Sequence, residues 1–540
     1  MQNIALIIPT LQGGGAERCA ADLSIDFSRR GYNVTIFTNL SYKITYDFAG
    51  ILADFSFSPN NLGGKISLKD AMEKKIKELR YLKDQFHIDI AISFMQFANY
   101  LNILSKRNEK VILTTHSVNS EYAKYLKSVE WSEHTFKELY QYADLITFPS
   151  EYCRKDWIEH YGDKNRITRT IYNPVHTMPV KGDNNRENII IAVGRMHSVK
   201  RQWHIIRAFK IVKEKCPDIK LIILGDGELR HKLEKLILRL GLTNDVEMPG
   251  NVTNVQDYLA KAKIFAMTSR LEAMPCSVLE AFSAGVPVVA CDCPGGIREE
   301  LNISCEQRTV TAPIQGECGI LVPYIKEYYT DEFTEEEKIL ADRIIYLLRD
   351  DKVRCEMGKK ARQRAECFSS EHIAEEWVKE IAEVNLKQRE ETQGFESEKQ
   401  KSLGMLEKKK NINVNMYISY YRLLEKWMIL REKGISVKQY FASQGIKNII
   451  IYGMGKMTRH LLEDLKDSDV NIVCAIDRGA FEMNGDFPII SGETEIPEAD
   501  CIIVTPVYDA EVIKQSLERK SSVTILSLSE VVDKCMCLNV

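Results

Sequence analysis

The sequence has no apolar run near the ~20 residues that a membrane-spanning helix needs. It has no basic excess either. Its 73 Lys and Arg face 76 Asp and Glu, a net charge of −3, which argues against a dedicated nucleic-acid binder. No C-x-x-C pair exists. The 14 cysteines include C-x-C pairs at Cys291/Cys293 and Cys535/Cys537 and no zinc-type spacing. The first ten residues, MQNIALIIPT, lack a basic n-region and a long apolar h-region. They are expected to form a strand rather than an export signal, in a cytoplasmic chain with reduced, mostly buried thiols. The sole D-x-D, Asp467–Asp469, follows a helical stretch late in the chain, so no metal site is expected at the main cleft.

What is present is a soluble globular composition, 44% hydrophobic and 28% charged. A chain of 540 residues is too long for one core, so about three domains are expected. The organising stretch is 263–296. KIFAM reads as a buried strand, and Pro275 stands where a helix begins. Gly285 ends that helix, and PVVAC is the next strand. Strand, loop, helix, strand is the repeat of a parallel α/β sheet, whose ligands sit beyond the strand carboxyl ends. Glu272 in the loop and Glu280 in the helix can then face one ligand. The helix N-terminus at Pro275, Cys276 and Ser277 is suited to an anion.

Earlier in the chain, TLQGGGAE joins the first strand to the first helix, and Gly13, Gly14 and Gly15 allow close backbone approach. Its spacing is not that of a nicotinamide fingerprint. His116 closes the apolar run KVILTTH. At a strand's carboxyl end, such a histidine is a candidate for function. Residues 179–188 are polar and turn-rich. Beyond them a second α/β domain opens with Gly194-Arg195 at a strand end and Lys200 five residues on.

Ser-Arg-Leu-Glu-Ala-Met-Pro, Ser-Val-Leu-Glu-Ala and Gly-Val-Pro-Val-Val-Ala together resemble the signature of the retaining glycosyltransferases of family 4, which have the GT-B fold. The resemblance covers residues 1–384. It implies two Rossmann-like α/β domains facing a cleft, with the last helix crossing back to the first domain. It implies that Glu272 and Glu280 bind a nucleotide sugar, Glu280 at the ribose and Glu272 at the sugar and its anomeric charge. It places Gly14 and Gly15 beside the diphosphate and His116 near the transferred sugar. Arg195 and Lys200 fit its G-R-x-x-x-x-K pattern, with Arg201 departing from the usual glycine. The implied reaction moves a sugar from a nucleotide diphosphate, by resemblance a UDP-sugar, to a lipid-linked or polysaccharide acceptor, with no cofactor. A sugar-nucleotide epimerase or phosphorylase of the same fold, and a non-catalytic nucleotide-sugar binding protein, are the alternatives.

The expected organisation is an acceptor-side domain over 1–178 and a donor domain over 179–384. A charged linker with an aromatic-rich helix spans 385–445, and a small Rossmann-like module spans 446–540. In that module Gly453 and Gly455 fit the first two glycines of a dinucleotide turn. Thr458 replaces the third, and Asp477 stands where a ribose-binding acid would. A nucleotide in this module is an expectation, oxidoreduction is not. Residues 65–86 carry the apolar stripe Leu68, Met72, Ile76, Leu79, Leu82 and Phe86 of an amphipathic helix. Its remaining face is crowded by Lys65, Lys69, Lys74, Lys75, Lys77, Arg80 and Lys83. That face suits a core-packed helix in water, or peripheral attachment to an anionic membrane surface on the inner face.

Overall fold

The computed structural model describes residues 2–536 except 39–43, 56–67, 122–133, 164–166, 178–185, 305–308, 327–331, 387–393, 406–422, 424–425, 428–429, 432–434, 454–455, 467, 478–486, 491–495 and 507–509. Two compact units are present, Met1–Lys326 with Glu332–Glu407, and Lys408–Val540.

The first unit holds two sheets. β1 (Asn3–Ile8), β2 (Asn33–Thr38), β3 (Ile51–Asp54), β4 (Ile90–Phe94), β5 (Lys110–Thr114), β6 (Leu145–Phe148) and β7 (Thr168–Thr170) form a parallel sheet in the order β3-β2-β1-β4-β5-β6-β7. β8 (Ile189–Val193), β9 (Lys220–Leu224), β10 (Val246–Gly250), β11 (Ile264–Met267), β12 (Val288–Cys291), β13 (Ile314–Gln315) and β14 (Gly319–Val322) form the second, in the order β10-β9-β8-β11-β12-β14-β13. Only the edge pair β13–β14 of that sheet is antiparallel. Central strands such as IAISF and IFAM are buried at every residue, as strands covered by helices on both faces must be. In each sheet the strand order reverses beside the first strand, between β1 and β4 and between β8 and β11. Those reversals define where a ligand enters.

Five helices bear on the site: α1 (Gly15–Arg29), α2 (Leu68–Gln85), α3 (Met95–Leu104), α4 (Glu151–Tyr161) and α5 (Gln202–Lys215). Three more follow, α6 (Cys276–Ser283), α7 (Ile297–Glu300) and α8 (Ser370–Leu386). The last crosses back as expected. Its Ile373, Trp377, Ile381 and Val384 share one buried cluster with Ile4, Leu6 and Ile8 of β1, and Trp377 meets Phe27 of α1 edge-on at 6.5 Å.

Two expectations need adjustment. Residues 395–405, inside the stretch read as linker, are helical and belong to the first unit. Phe395 and Leu403 are buried in the cluster of Tyr100 and Leu104, and Ser402 Oγ lies 3.0 Å from Tyr100 Oη. In α2, Met72, Ile76 and Leu79 are buried as the stripe requires, but so is Lys83. Its Nζ pairs with Glu109 Oε1 at 2.5 Å and donates to Asn102 Oδ1 at 2.8 Å. It is therefore no part of a charged surface. The side chains of Lys65 and Lys69 fall outside the described residues.

The second unit carries β15 (Asn448–Tyr452), β16 (Asn471–Ile476), β17 (Ile489–Ile490), β18 (Cys501–Val504) and β19 (Thr524–Ser527), parallel throughout, in the order β17-β16-β15-β18-β19. This is the expected Rossmann-like order. Leu423, Trp427 and Leu430, from the aromatic-rich stretch, are buried in its core. Trp427 Nε1 donates to Asp464 Oδ2 at 2.8 Å, at the end of α9 (Lys456–Asp464).

Candidate functional site

The site lies in the first unit, where loops from the carboxyl ends of both sheets converge. After β8, Gly194 takes φ +155 and Lys200 runs alongside it, 3.5 Å from where a Cβ would be. The next residue, Arg201, sits at φ +54 as the residue before α5. That left-handed conformation is the physical reason a glycine suits the position. This chain instead fixes an arginine there. The side chain is fully buried, donates to Ile325 O and His204 Nε2, and lies over the Tyr324 ring.

The loop after β11 carries Glu272. Its backbone is locked to the Pro294–Gly296 turn. Glu272 N donates to Pro294 O at 3.1 Å, and Gly296 N donates back to Glu272 O at 3.2 Å. Gly295 has φ +128, and a Cβ there would collide with Glu272 O, so glycine is required. Held this way, Glu272 Oε1 accepts from Lys200 Nζ at 2.5 Å and from Ser269 Oγ at 2.7 Å.

Pro275 is extended (φ −74, ψ 101) and precedes α6, whose first turn has no side-chain cap. Val278 N donates to Pro275 O at 2.9 Å, so among the described residues the N–H groups of Cys276 and Ser277 are the ones left to solvent or a ligand. Cys276 opens the helix against Gly15. A Cβ on Gly15 would stand 3.0 Å from Cys276 Sγ, so the glycine loop and the start of α6 meet there. A Cβ on Gly14 would overlap the Glu17 carboxylate. Burial pushes the Cys276 thiol up to about 12, so it is a packed thiol and not a thiolate.

Glu280, one turn into α6, meets Arg18 of α1 at 3.4 Å. Arg18 also pairs with Asp22 at 3.6 Å and lies over the Tyr46 ring. Asp22 in turn holds His176 Nε2 at 2.9 Å. Burial raises the Glu280 carboxyl, and the Arg18 charge opposes that rise. Burial likewise raises Glu17, against the pull of its own backbone N–H and of Arg195. Arg195 itself is exposed.

His116 stands two residues past the end of β5, not within the strand. Its ring stacks on Phe94 at 5.8 Å, and burial lowers it to about 4, so it is neutral near pH 7. Thus Lys200 joins Glu272, Gly15 joins Cys276, and Glu280 joins Arg18. Among the described residues His116 stays apart from that set, its partners being Thr114 and Phe94.

Sequence reading missed Arg18, Asp22, His176 and Ser269. Arg18 and Asp22 carried a weak signal, an i,i+4 charge pair directly after the glycine loop. It also missed Glu299, whose carboxylate accepts from Glu151 N (2.8 Å) and Tyr152 N (2.7 Å) at the start of α4. Its neighbour Glu300 is fully buried, and neither carboxyl oxygen has a hydrogen-bond partner among the described residues. Burial, with the Glu272 charge adding, raises it well above the carboxylate range.

In the second unit, Gly453 has φ +89 at the end of β15, and its carbonyl accepts from both Thr458 Oγ1 (2.5 Å) and Thr505 Oγ1 (2.6 Å). Thr458 thus ties the turn down where a third glycine was absent. Asp477 is half-buried just past β16, and Gly455 lies outside the described residues.

Comparison with known proteins assigns the first unit. The model described as "Glycosyltransferase Family 4" matches residues 13–178, and that described as "Glycosyl transferases group 1" matches 177–304. An uncharacterized glycosyltransferase of Methanocaldococcus jannaschii is 34% identical over 264 residues. The match covers 45% of this chain and spans 64% of that relative's length. An α-1,4-N-acetyl-D-galactosaminyltransferase of Campylobacter jejuni, named for a GalNAc-containing diphospho-undecaprenol acceptor, is 27% identical. That match covers 71% of this chain and 99% of the relative. Anabaena HepE, solved in complex with UDP and glucose, superposes with a TM-score of 0.55 at 18% identity, over 71% of this chain and all of that one. At that identity the likeness is one of fold, the GT-B arrangement of two facing α/β domains.

Proposed function

We propose, on the premise that this chain belongs to the glycosyltransferases of family 4, that its cleft moves a hexose-type sugar from a UDP-sugar to a growing glycan, lipid-linked or polysaccharide, with retention. The observation that carries this reading is the Lys200–Glu272 pair standing one loop from a helix that presents Glu280. The Campylobacter relative bears an α-linkage and a lipid diphosphate acceptor in its name, and the shared fold occurs with UDP and glucose in HepE.

In this reading Glu280 accepts from the ribose hydroxyls once Arg18 yields it. Gly14, Gly15 and the backbone N–H groups of Cys276 and Ser277, just after Pro275, line the diphosphate, with Arg195 and Lys200 supplying its counter-charge. Glu272 holds sugar hydroxyls and stabilises the positive anomeric carbon, and His116 contacts the sugar. The bond from the anomeric carbon to the diphosphate oxygen breaks. A bond to the acceptor hydroxyl forms on the same face, and that hydroxyl's proton leaves with the diphosphate. No metal is assigned to this step. Among the described residues no three His, Cys, Asp or Glu are grouped as a metal site. In this reading Arg195, Lys200 and the N–H groups of Cys276 and Ser277 carry the diphosphate charge, so activity is expected to survive EDTA. Incubating the protein with a panel of nucleotide sugars, with and without lipid-linked acceptor, and scoring nucleotide release tests the reading. Release without acceptor dependence from every donor, or from none, refutes it.

Two further assignments belong to this reading. Lys74 and Lys77 are exposed on α2 and are proposed to meet an anionic membrane surface, while no described helix is long and apolar enough to cross a membrane. The second unit is proposed to bind a nucleotide or nucleotide sugar near Gly453 and Asp477, without turnover of nicotinamide. A partner enzyme is the other ligand class for it. Absorbance at the nicotinamide band and calorimetric titration of nucleotides check both halves of that statement.

A further inference from the structure

His116 Nε2 is 3.1 Å from Thr114 Oγ1, and the same hydroxyl is 2.9 Å from Ser93 O. A carbonyl oxygen only accepts, and threonine has one hydroxyl proton. Thr114 therefore donates to Ser93, and only its lone pairs remain for the imidazole. His116 must supply the proton of the second bond. The ring is then the tautomer with hydrogen on Nε2 and a bare lone pair on Nδ1.

The surroundings hold this direction. Asn99 Nδ2 donates to Thr114 O at 2.7 Å, and Asn99 Oδ1 accepts from Ser93 Oγ at 2.8 Å. One buried amide thus anchors both ends of the Thr114–Ser93 bond. Asn102 Nδ2 adds a bond to Ser93 Oγ at 3.1 Å and another to Ala91 O at 2.9 Å. Ser93, Asn99 and Asn102 are fully buried and Thr114 nearly so, so water does not compete. Phe94 stacks on the ring and restricts its rotation. Nδ1 has no partner among the described residues, and the side chain is only half-buried at the carboxyl edge of the sheet.

We propose that Thr114 is a positioning residue for sugar transfer, fixing the His116 tautomer so that Nδ1 accepts a hydrogen bond from the bound sugar. The proposal rests on the donor-sugar role given to His116 above. It adds a selection rule: the group facing His116 must have a proton to give. A hydroxyl or an amide N–H meets that demand, and a carboxylate does not.

The test uses the full chain labelled with ¹⁵N at histidine, with His116 assigned by its loss in His116→Gln. Long-range ¹H–¹⁵N spectra should show Nε2 protonated, with a slowly exchanging proton, in the wild type and in Thr114→Ser. Thr114→Val should lose the slow exchange. It should also lower kcat/KM for the UDP-sugar about tenfold, the scale of one neutral hydrogen bond, while leaving the affinity for UDP unchanged. Thr114→Ser should restore the rate. A wild-type ring protonated on Nδ1 overturns the proposal, whether or not Thr114→Val folds. So does a Thr114→Val protein with wild-type exchange and rate. Should no nucleotide sugar be turned over, the donor reading fails, and the imidazole spectrum still decides the Thr114 assignment.

Discussion

Lys200 Nζ and Glu272 Oε1 stand 2.5 Å apart, joining the loop after β8 to the loop after β11. Each is the other's counter-ion, so under the proposed function a sugar-nucleotide donor exchanges this contact for its own diphosphate and sugar. Glu272→Ala and Lys200→Ala are each expected to slow transfer about a hundredfold, since one preorganised charge at a transition state is worth ~3 kcal/mol. Nucleotide release under saturating donor measures it, and near-normal turnover in Glu272→Ala contradicts the assignment.

Glu280 and Arg18 should behave differently. Glu280→Ala is expected to weaken UDP binding about tenfold with a smaller change in kcat, because the ribose does not react. Isothermal titration with UDP separates the two effects; an unchanged Kd would remove Glu280 from the ribose.

The buried Lys83–Glu109 pair predicts an effect on stability. Glu109→Ala leaves the lysine charge buried and unpaired and should cost about 3–5 kcal/mol. Lys83→Met with Glu109→Leu removes both charges and should cost much less. Urea melts of the three proteins decide between a structural pair and a surface pair worth under about 1 kcal/mol.

Glu300 gives a pH dependence. Its carboxyl is raised in the folded protein, so above the ordinary carboxylate range the unfolded chain releases a proton that the folded chain retains. Stability is then lost as pH rises toward the folded value, by at most about 1.4 kcal/mol per unit. Glu300→Gln cannot release that proton. It should match the wild type near pH 4.5 and become progressively more stable than it as pH rises from there. Thermal melts with a constant difference across that range would contradict the burial argument.

A chain ended at residue 407 is expected to stay folded and to transfer sugar. One ended at 384 strips Phe395 and Leu403 from the first unit and should be less stable by several kcal/mol, at about 2 kcal/mol for each buried side chain. Melting curves and transfer assays on the two truncations check this.

How much of this was legible follows from reach along the chain. The paired sheets were readable because their strands are short apolar runs, and Glu272 and Glu280 because one loop and one helix hold both. Arg18 and His176 were not, because their partners are set by folding: Arg18 meets a residue 262 positions away and His176 one 154 positions away. Lys83 shows the opposite failure. It stands at the 72, 76, 79, 83 spacing of the buried stripe, so periodicity placed it inside while its charge suggested the surface. What decided the matter was Glu109, on the segment leading to β5, which no helical pattern could supply.

The return of α8 to α1 bears on synthesis. Leu23 and Phe27 of α1 are made hundreds of residues before Ile373 to Val384, which share their buried cluster. At ~5–20 residues per second, that face of α1 waits tens of seconds for its cover. During that interval the nascent first domain presents an apolar strip that only a chaperone or its own distant helix can shield. Expressed alone as residues 1–178, it would keep that strip permanently.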